Sequence, residues 1–284
     1  MEIKKVAVIG GGLMGRQIAL NAAIYGYEVK LTDSAEAVLA AVEQWKEEYL
    51  SGRVAKGRMT QEQVDAVKGR FAVADSIGAA VSDADLVIEA VLEKEDIKKS
   101  VFTEVSKHVP AGAIIATNSS RMPSSKFADC VPDPSKLANL HYFNPALVMK
   151  TVEIQVNEQT SEDTLQTLKD FCVSLAKEPV VLFKEVDGMI VNSILTVIND
   201  KAMYLVENGY ATVEDVDKGV VGGLNHPMGP FRLMDLTGID LAFTIREARY
   251  KATGVKPVGY DLLKSYVDQG RLGRKTGKGF YDYE

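Results

Sequence analysis

Two stretches decide the fold: Val6-Ala7-Val8-Ile9-Gly10-Gly11-Gly12-Leu13-Met14-Gly15, and then Glu28-Val29-Lys30-Leu31-Thr32-Asp33. The apolar run Val6-Ala7-Val8-Ile9 reads as a strand buried on both faces of a parallel sheet. The glycines stop it. Helical spacing rich in Ala, Leu and Ile follows over residues 13–25 and closes at Gly26, and residues 28–33 read as a second strand. Strand, glycine turn, helix and strand within about 30 residues make one βαβ unit.

Outward from this unit, Ser34 is expected to cap a helix over residues 35–50, and the basic, glycine-broken segment 51–56 to join it to the next. That next helix fits residues 60–67, with Thr60 as cap and Gln63 in the capping-box position. Further strands are expected at 71–73, 86–90, 114–117, 137–142 and 151–156, with a helix over 94–107. Alternating strands and helices imply an α/β protein with a Rossmann-like, doubly wound sheet. After Val186-Asp187-Gly188 the pattern becomes helical, over 190–208, 213–220, 231–250 and 262–269. We expect a Rossmann-like domain over 1–187 and a smaller all-α domain over 188–284.

A chain of 284 residues can bury a core without metals or disulfides. Its net charge of −6 argues against nonspecific nucleic-acid binding, which needs a basic face. It leaves room for a local basic pocket. Cys130 and Cys172 lack metal-ligand spacing and read as reduced thiols. The N-terminal apolar run is too short for a signal peptide, and no stretch approaches the roughly 20 apolar residues of a membrane span. The expectation is a cytoplasmic protein with no membrane and no nucleic-acid partner.

Gly10, Gly12 and Gly15 fit G-x-G-x-x-G between a strand and a helix. The first glycine permits the tight turn, the second lets backbone approach a pyrophosphate, and the third lets helix and strand pack closely. Leu13 and Met14 open the helix whose free N–H groups would face the phosphates. Asp33, 18 residues after Gly15, can accept hydrogen bonds from the ribose hydroxyls of NAD and would repel the 2′-phosphate of NADP. Its alternative role is to cap the following helix.

Three histidines are available. His108 falls at a helix end and reads as exposed. His226 sits in the turn Asn225-His226-Pro227, where structure explains it. His141 falls at the end of a strand, where ligands of such sheets collect. Asn118, Ser119, Ser120 and Asn144 are polar residues at neighbouring strand ends, and Glu153 follows after a strand–turn–strand path. A carboxylate there would fix the imidazole tautomer and stabilise the imidazolium. On spacing alone a structural His–Glu pair and a catalytic one are both open.

Beyond the glycine motif, several further segments occur in order: Val87-Ile88-Glu89-Ala90-Val91, Asn118-Ser119-Ser120, His141-Tyr142-Phe143-Asn144-Pro145, Asp187-Gly188-Met189-Ile190-Val191-Asn192, Asn225-His226-Pro227-Met228-Gly229-Pro230 and Gly273-Arg274-Lys275-Thr276-Gly277-Lys278-Gly279-Phe280-Tyr281. With them the chain resembles the 3-hydroxyacyl-CoA dehydrogenase family nearly end to end, in particular its single-function bacterial 3-hydroxybutyryl-CoA dehydrogenases. The resemblance implies an NAD enzyme with a helical dimerisation domain that interconverts 3-hydroxybutyryl-CoA and acetoacetyl-CoA. It implies His141 as acid/base, Glu153 as its partner, and Ser120, Asn144 and Asn192 as polar groups around the reacting oxygen and the cofactor. Glu93, Lys98, Asn118 and Lys275 match further cofactor positions. Arg53, Lys56 and Arg58 form a cationic cluster expected to meet CoA phosphates, with a solvated loop as the alternative. Ile194, Leu195, Val197 and Ile198 offer an apolar face for a homodimer. One departure is Arg121, where the family commonly has a second serine. Rival readings are a gulonate-type 3-hydroxy-acid dehydrogenase and a noncatalytic, crystallin-like protein that keeps the fold.

Overall fold

The computed structural model describes residues 2–283. They divide into two compact units, Met1–Ile190 and Val191–Glu284. In the first, eight strands form one sheet: β1 (Lys5–Ile9), β2 (Glu28–Thr32), β3 (Phe71–Val73), β4 (Leu86–Glu89), β5 (Ile114–Thr117), β6 (Leu137–Tyr142), β7 (Thr151–Val156) and β8 (Glu178–Leu182). Their order is β3-β2-β1-β4-β5-β6-β7-β8. Every neighbouring pair is parallel except β6–β7. The central strands β4 and β5 are buried along their whole length, which is why they read as unbroken apolar runs.

Helices α1 (Leu13–Ile24), α2 (Glu36–Ala55), α3 (Gln61–Arg70), α4 (Ile77–Val81), α5 (Glu95–Ser106) and α6 (Glu162–Ser174) belong to this unit. Two apolar clusters separate the helices from the sheet. One gathers Val6, Val8, Ile18, Leu31, Leu86, Ile88, Leu140 and Ile154; the other gathers Ala7, Ile9, Val87, Phe102, Ile115 and Phe127. Alternate residues of β1 and β4 therefore point to opposite faces, as a doubly wound sheet requires. The capping box at α3 forms: Thr60 Oγ1 accepts from the Gln63 N–H, and Gln63 Oε1 accepts from the Thr60 N–H.

Three local expectations need correction. Helix α2 does not end near residue 50; it runs through Gly52 and Arg53 to Ala55 and stops before Gly57, whose φ is +63°. Glycine costs a helix only about 1 kcal/mol, whereas the left-handed turn after a helix favours it strongly. Ser34 does not cap α2; the cap position is Ala35, with no side-chain bond, and Asp33 Oδ1 accepts from the Ala35 N–H instead. Strand β8 was not anticipated because Pro179 interrupts its pattern. It pairs only with β7, at the edge of the sheet, where a missing N–H is tolerated.

The second unit is helical: α7 (Met189–Glu207, beginning two residues before the division), α8 (Val213–Leu224), α9 (Pro230–Thr237), α10 (Ile239–Thr253) and α11 (Tyr260–Asp268). Residues 231–250 form two helices rather than one, because Gly238 turns the chain at φ +107°. Met203, Phe231, Met234, Ile239, Leu263 and Phe280 make the core. Two buried carboxylates fasten the last residues. Asp235 accepts from the N–H groups of Phe280 and Tyr281 and from the Tyr283 hydroxyl, and Asp217 accepts from the Tyr281 hydroxyl. Contrary to the sequence expectation, α7 is by length and composition long and apolar enough to cross a membrane. Ile194 and Val197 on it are exposed.

Candidate active site

The parallel topology sends the ends of β1, β2, β4, β5 and β6 to one edge of the sheet. Gly10, Asp33, Ala90, Asn118 and His141 therefore share that edge, where ligands of such sheets bind. The glycine turn is built as its spacing implies. Gly10 has φ +107°, and a Cβ there would lie 2.6 Å from the Ala90 carbonyl oxygen. A Cβ on Gly15 would lie 1.8 Å from the Gly10 oxygen, so only glycine lets α1 pack this close to β1. A Cβ on Gly12 would meet nothing within 4 Å. Gly12 opens onto free space before the first turn of α1, which suits a pyrophosphate against the helix N-terminus. The Asp33 carboxylate accepts from the Gly11 N–H at 2.7 Å and the Ala35 N–H at 3.0 Å. It is thus fixed beside the turn, where a ribose would lie, so the residues present fit a dinucleotide.

Behind the turn is a buried ionic network that the sequence reading missed. Glu89 is fully buried, and its oxygens take the Lys98 ammonium at 2.7 and 2.9 Å, the Val91 N–H at 2.7 Å and the Thr117 hydroxyl at 2.6 Å. Lys98, 1% exposed, also reaches Glu93 Oε2 at 3.1 Å. Glu93 Oε1 accepts from the Ser119 hydroxyl and, at 3.3 Å, from the Arg121 N–H. Burial acts to raise the Glu93 pKa, but the Ser119 bond and the Lys98 charge outweigh it and hold the carboxyl below its ordinary range. Lys98 thereby orients Glu93 and ties the segment after β4 to the segment after β5. A lone carboxylate in Leu86-Val87-Ile88-Glu89 and a lysine nine residues on were the only signal, and charge pairing at that separation is not readable from sequence.

His141 is 4% exposed and Glu153 is 0% exposed. They oppose each other across the antiparallel β6–β7 pair. His141 Nδ1 lies 2.9 Å from Glu153 Oε2, and His141 Nε2 lies 3.0 Å from Ser120 Oγ. Glu153 Oε1 also accepts from the Ile190 N–H at 3.0 Å, in the first turn of α7, a favourable place for a carboxylate. With the carboxylate accepting, Nδ1 carries the proton; neutral Nε2 then accepts from Ser120, and the imidazolium donates. Phe143 sits edge-on to the imidazole, with ring centroids 4.7 Å apart.

Asn118 Oδ1 accepts from the Tyr142 N–H at 2.9 Å, and Asn144 Oδ1 lies 3.4 Å from Gln17 Nε2. Both bonds fix these amides next to the His141 strand. Leu13 and Met14 open α1; Leu13 is exposed and Met14 half-buried. Asn192 and Lys275 belong to the second unit. The Asn192 carbonyl accepts from the Thr196 hydroxyl, and the Lys275 ammonium lies 2.6 Å from both Asp240 oxygens. Arg53 stands on α2 rather than in a loop, with its guanidinium carbon 6.0 Å from the Tyr49 ring, while Lys56 and Arg58 follow exposed. Arg16, not anticipated, lies 4.7 Å over the Trp45 ring. His108 is exposed and reaches Glu104 at 3.1 Å; His226 is in the second unit. Among the described residues no cluster of His, Cys, Asp and Glu could hold a metal ion.

Comparison with known proteins adds independent findings. Residues 5–186 match the family model "3-hydroxyacyl-CoA dehydrogenase, NAD binding domain", and residues 188–283 match "3-hydroxyacyl-CoA dehydrogenase, C-terminal domain". A 3-hydroxybutyryl-CoA dehydrogenase of Mycobacterium tuberculosis is 36% identical over 99% of both chains. The mitochondrial hydroxyacyl-coenzyme A dehydrogenase of Rattus norvegicus is 36% identical over 99% of this chain and 92% of its own. The crystal structure of an (S)-3-hydroxybutyryl-CoA dehydrogenase from Ralstonia eutropha superposes with a TM-score of 0.90 at 30% identity, covering all of both chains. A Rossmann-type sheet with this glycine turn, and matches to both halves of one family, make the chain a member of the NAD-dependent 3-hydroxyacyl-CoA dehydrogenases.

Proposed function

We propose that this chain interconverts (S)-3-hydroxyacyl-CoA and 3-oxoacyl-CoA with NAD(H), taking 3-hydroxybutyryl-CoA and acetoacetyl-CoA as a substrate pair. The observation that carries this reading is His141 held between Glu153 and Ser120 at the cofactor edge of the sheet. Relatives named 3-hydroxybutyryl-CoA dehydrogenase support the four-carbon pair.

NAD(H) supplies the hydride acceptor or donor for C3. The protein manages the proton and the charge. In oxidation, neutral His141 takes the hydroxyl proton at Nε2; in reduction, the imidazolium returns it as charge builds on the C3 oxygen. The Glu153 carboxylate fixes the ring and stabilises the imidazolium throughout. The Ser120 hydroxyl donates to the reacting oxygen, and the family resemblance assigns Asn192 to the same oxygen. Gly10, Gly12, Leu13, Met14, Gly15 and Asp33 hold the adenosine and pyrophosphate. Glu93, Asn118, Ser120, Asn144 and Lys275 take the remainder of the cofactor, with Lys98 acting through Glu93. Arg53 and Lys56 meet the CoA phosphates. The apolar face of α7 serves a homodimer, and the enzyme works in the cytoplasm. The test is NADH oxidation with acetoacetyl-CoA, run beside NADPH and beside a free 3-oxo acid. Turnover of the thioester with NADH is expected; turnover of the free acid alone would replace this reading with the 3-hydroxy-acid one.

A further inference from the structure

The face of the sheet that carries His141 and Glu153 holds two more buried polar side chains. Asn139 opposes Gln155 across β6–β7, two residues along each strand from His141 and Glu153, so all four leave on one face. Asn139 Oδ1 accepts from the Ser124 N–H at 2.8 Å. Gln155 is 1% exposed. An apolar residue would fill this strand position without the cost of burying an amide, so what the amide binds matters.

Gln155 Oε1 accepts from the Val186 N–H at 2.9 Å. Val186 lies in the segment 183–188 that leads from β8 to α7. Its carbonyl accepts from the Met189 N–H at 3.3 Å, closing a turn through Gly188, φ +75°, and Met189, φ +50°. Glycine takes a left-handed conformation freely, whereas Met189 takes it at a cost and must be held there. The next N–H, that of Ile190, donates to Glu153 Oε1 at 3.0 Å. Gln155 and Glu153, two residues apart on β7, thus fasten the two ends of one turn.

The Glu153 carboxylate is in consequence held at both oxygens, Oε1 by Ile190 and Oε2 by His141 Nδ1 at 2.9 Å. The terminal torsion of a glutamate is otherwise broad. With Oε1 pinned, Oε2 keeps its aim on the imidazole. We infer that Gln155 is a positioning residue for the acid/base pair. By anchoring the 186–189 turn it delivers the Ile190 N–H to Glu153, and it acts on the reaction through that carboxylate. This inference rests on the proposed dehydrogenase activity and on His141 as its acid/base.

The test measures acetoacetyl-CoA reduction by NADH, with rates divided by the NADH sites counted by fluorescence titration, so that only folded protein is scored. Gln155→Met fills similar space without an acceptor. Its kcat should fall about 10–10²-fold, the effect of a small misplacement, with both KM values within about twofold. Val186→Pro removes the donor of the same bond from an exposed position. It should give the same fall, and it reports even where Gln155→Met does not fold. Gln155→Glu keeps an accepting oxygen and should stay within about threefold of the unaltered kcat. In a Glu153→Gln background, Gln155→Met should cost under about threefold, because the carboxylate it aims is gone. An unchanged kcat in Gln155→Met overturns the inference. So does a fall of equal size with and without the Glu153 carboxylate, which marks a role in folding only. A raised KM with kcat kept would place Gln155 in binding and overturn it likewise. No turnover by the unaltered enzyme would overturn the dehydrogenase reading and the inference with it, an outcome distinct from turnover that Gln155 does not influence.

Discussion

His141 and Glu153 are directly opposed residues of the antiparallel β6–β7 pair, so both side chains leave the sheet on one face and meet at 2.9 Å. Sheet register, rather than a flexible loop, sets the geometry of the proposed acid/base pair, and both members are buried where water cannot compete for the bond.

Replacing His141 with Gln keeps a polar group in place but removes the transferable proton. We expect kcat for acetoacetyl-CoA reduction to fall about 10²–10⁴-fold, the usual weight of general acid–base catalysis. NADH affinity, read from its fluorescence, should change little. Glu153→Gln keeps the hydrogen-bond acceptor and removes the charge, and should give a smaller fall in kcat. Near-normal turnover of His141→Gln would remove the imidazole from the mechanism.

Asp33 is pinned by the N–H groups of Gly11 and Ala35 beside the glycine turn. Asp33→Ala should raise KM for NADH and relieve the repulsion of a 2′-phosphate, so kcat/KM with NADPH should gain on kcat/KM with NADH. Equal losses with both cofactors would make Asp33 a structural residue of the turn only.

Glu89→Gln would replace the two-oxygen, fully buried partner of the Lys98 ammonium with a neutral amide and leave the more exposed Glu93, at 3.1 Å, as its carboxylate. Breaking one side of a buried ion pair costs about 3–5 kcal/mol, so the urea midpoint should fall steeply. Adding Lys98→Met should recover much of it. A loss under about 1 kcal/mol, the level of a surface pair, would show that water or other groups already compensate Lys98.

The Tyr142 hydroxyl is buried with no hydrogen-bond partner among the described residues. An unmet buried polar group costs about 1–3 kcal/mol. Tyr142→Phe keeps the ring and removes the cost, so Tm should rise. A drop in Tm would reveal a partner for the hydroxyl.

The βαβ unit, the glycine turn and the run of strands through β7 were legible because each is written in local spacing: four apolar residues, three glycines, a helical repeat. The capping box at Thr60 was legible for the same reason. Where local rules compete, the sequence misled. Gly52 looked like a break, but Gly57 was the one whose left-handed conformation ended α2, and Gly238 split a continuous helical pattern. Pro179 concealed an edge strand.

Sequence alone determined the fold class and the dinucleotide turn, since these depend on residue type and short-range order. Glu153 was expected beside His141, but only the tertiary structure gave that contact its register and brought Glu89 to Lys98. Glu153 reaches His141 through the β6–β7 register, and Glu89, Lys98 and Thr117 converge because β4, α5 and β5 pack side by side. Such pairings join residues distant in the chain, and their energy depends on burial, which exists only once the sheet and its helices have excluded water.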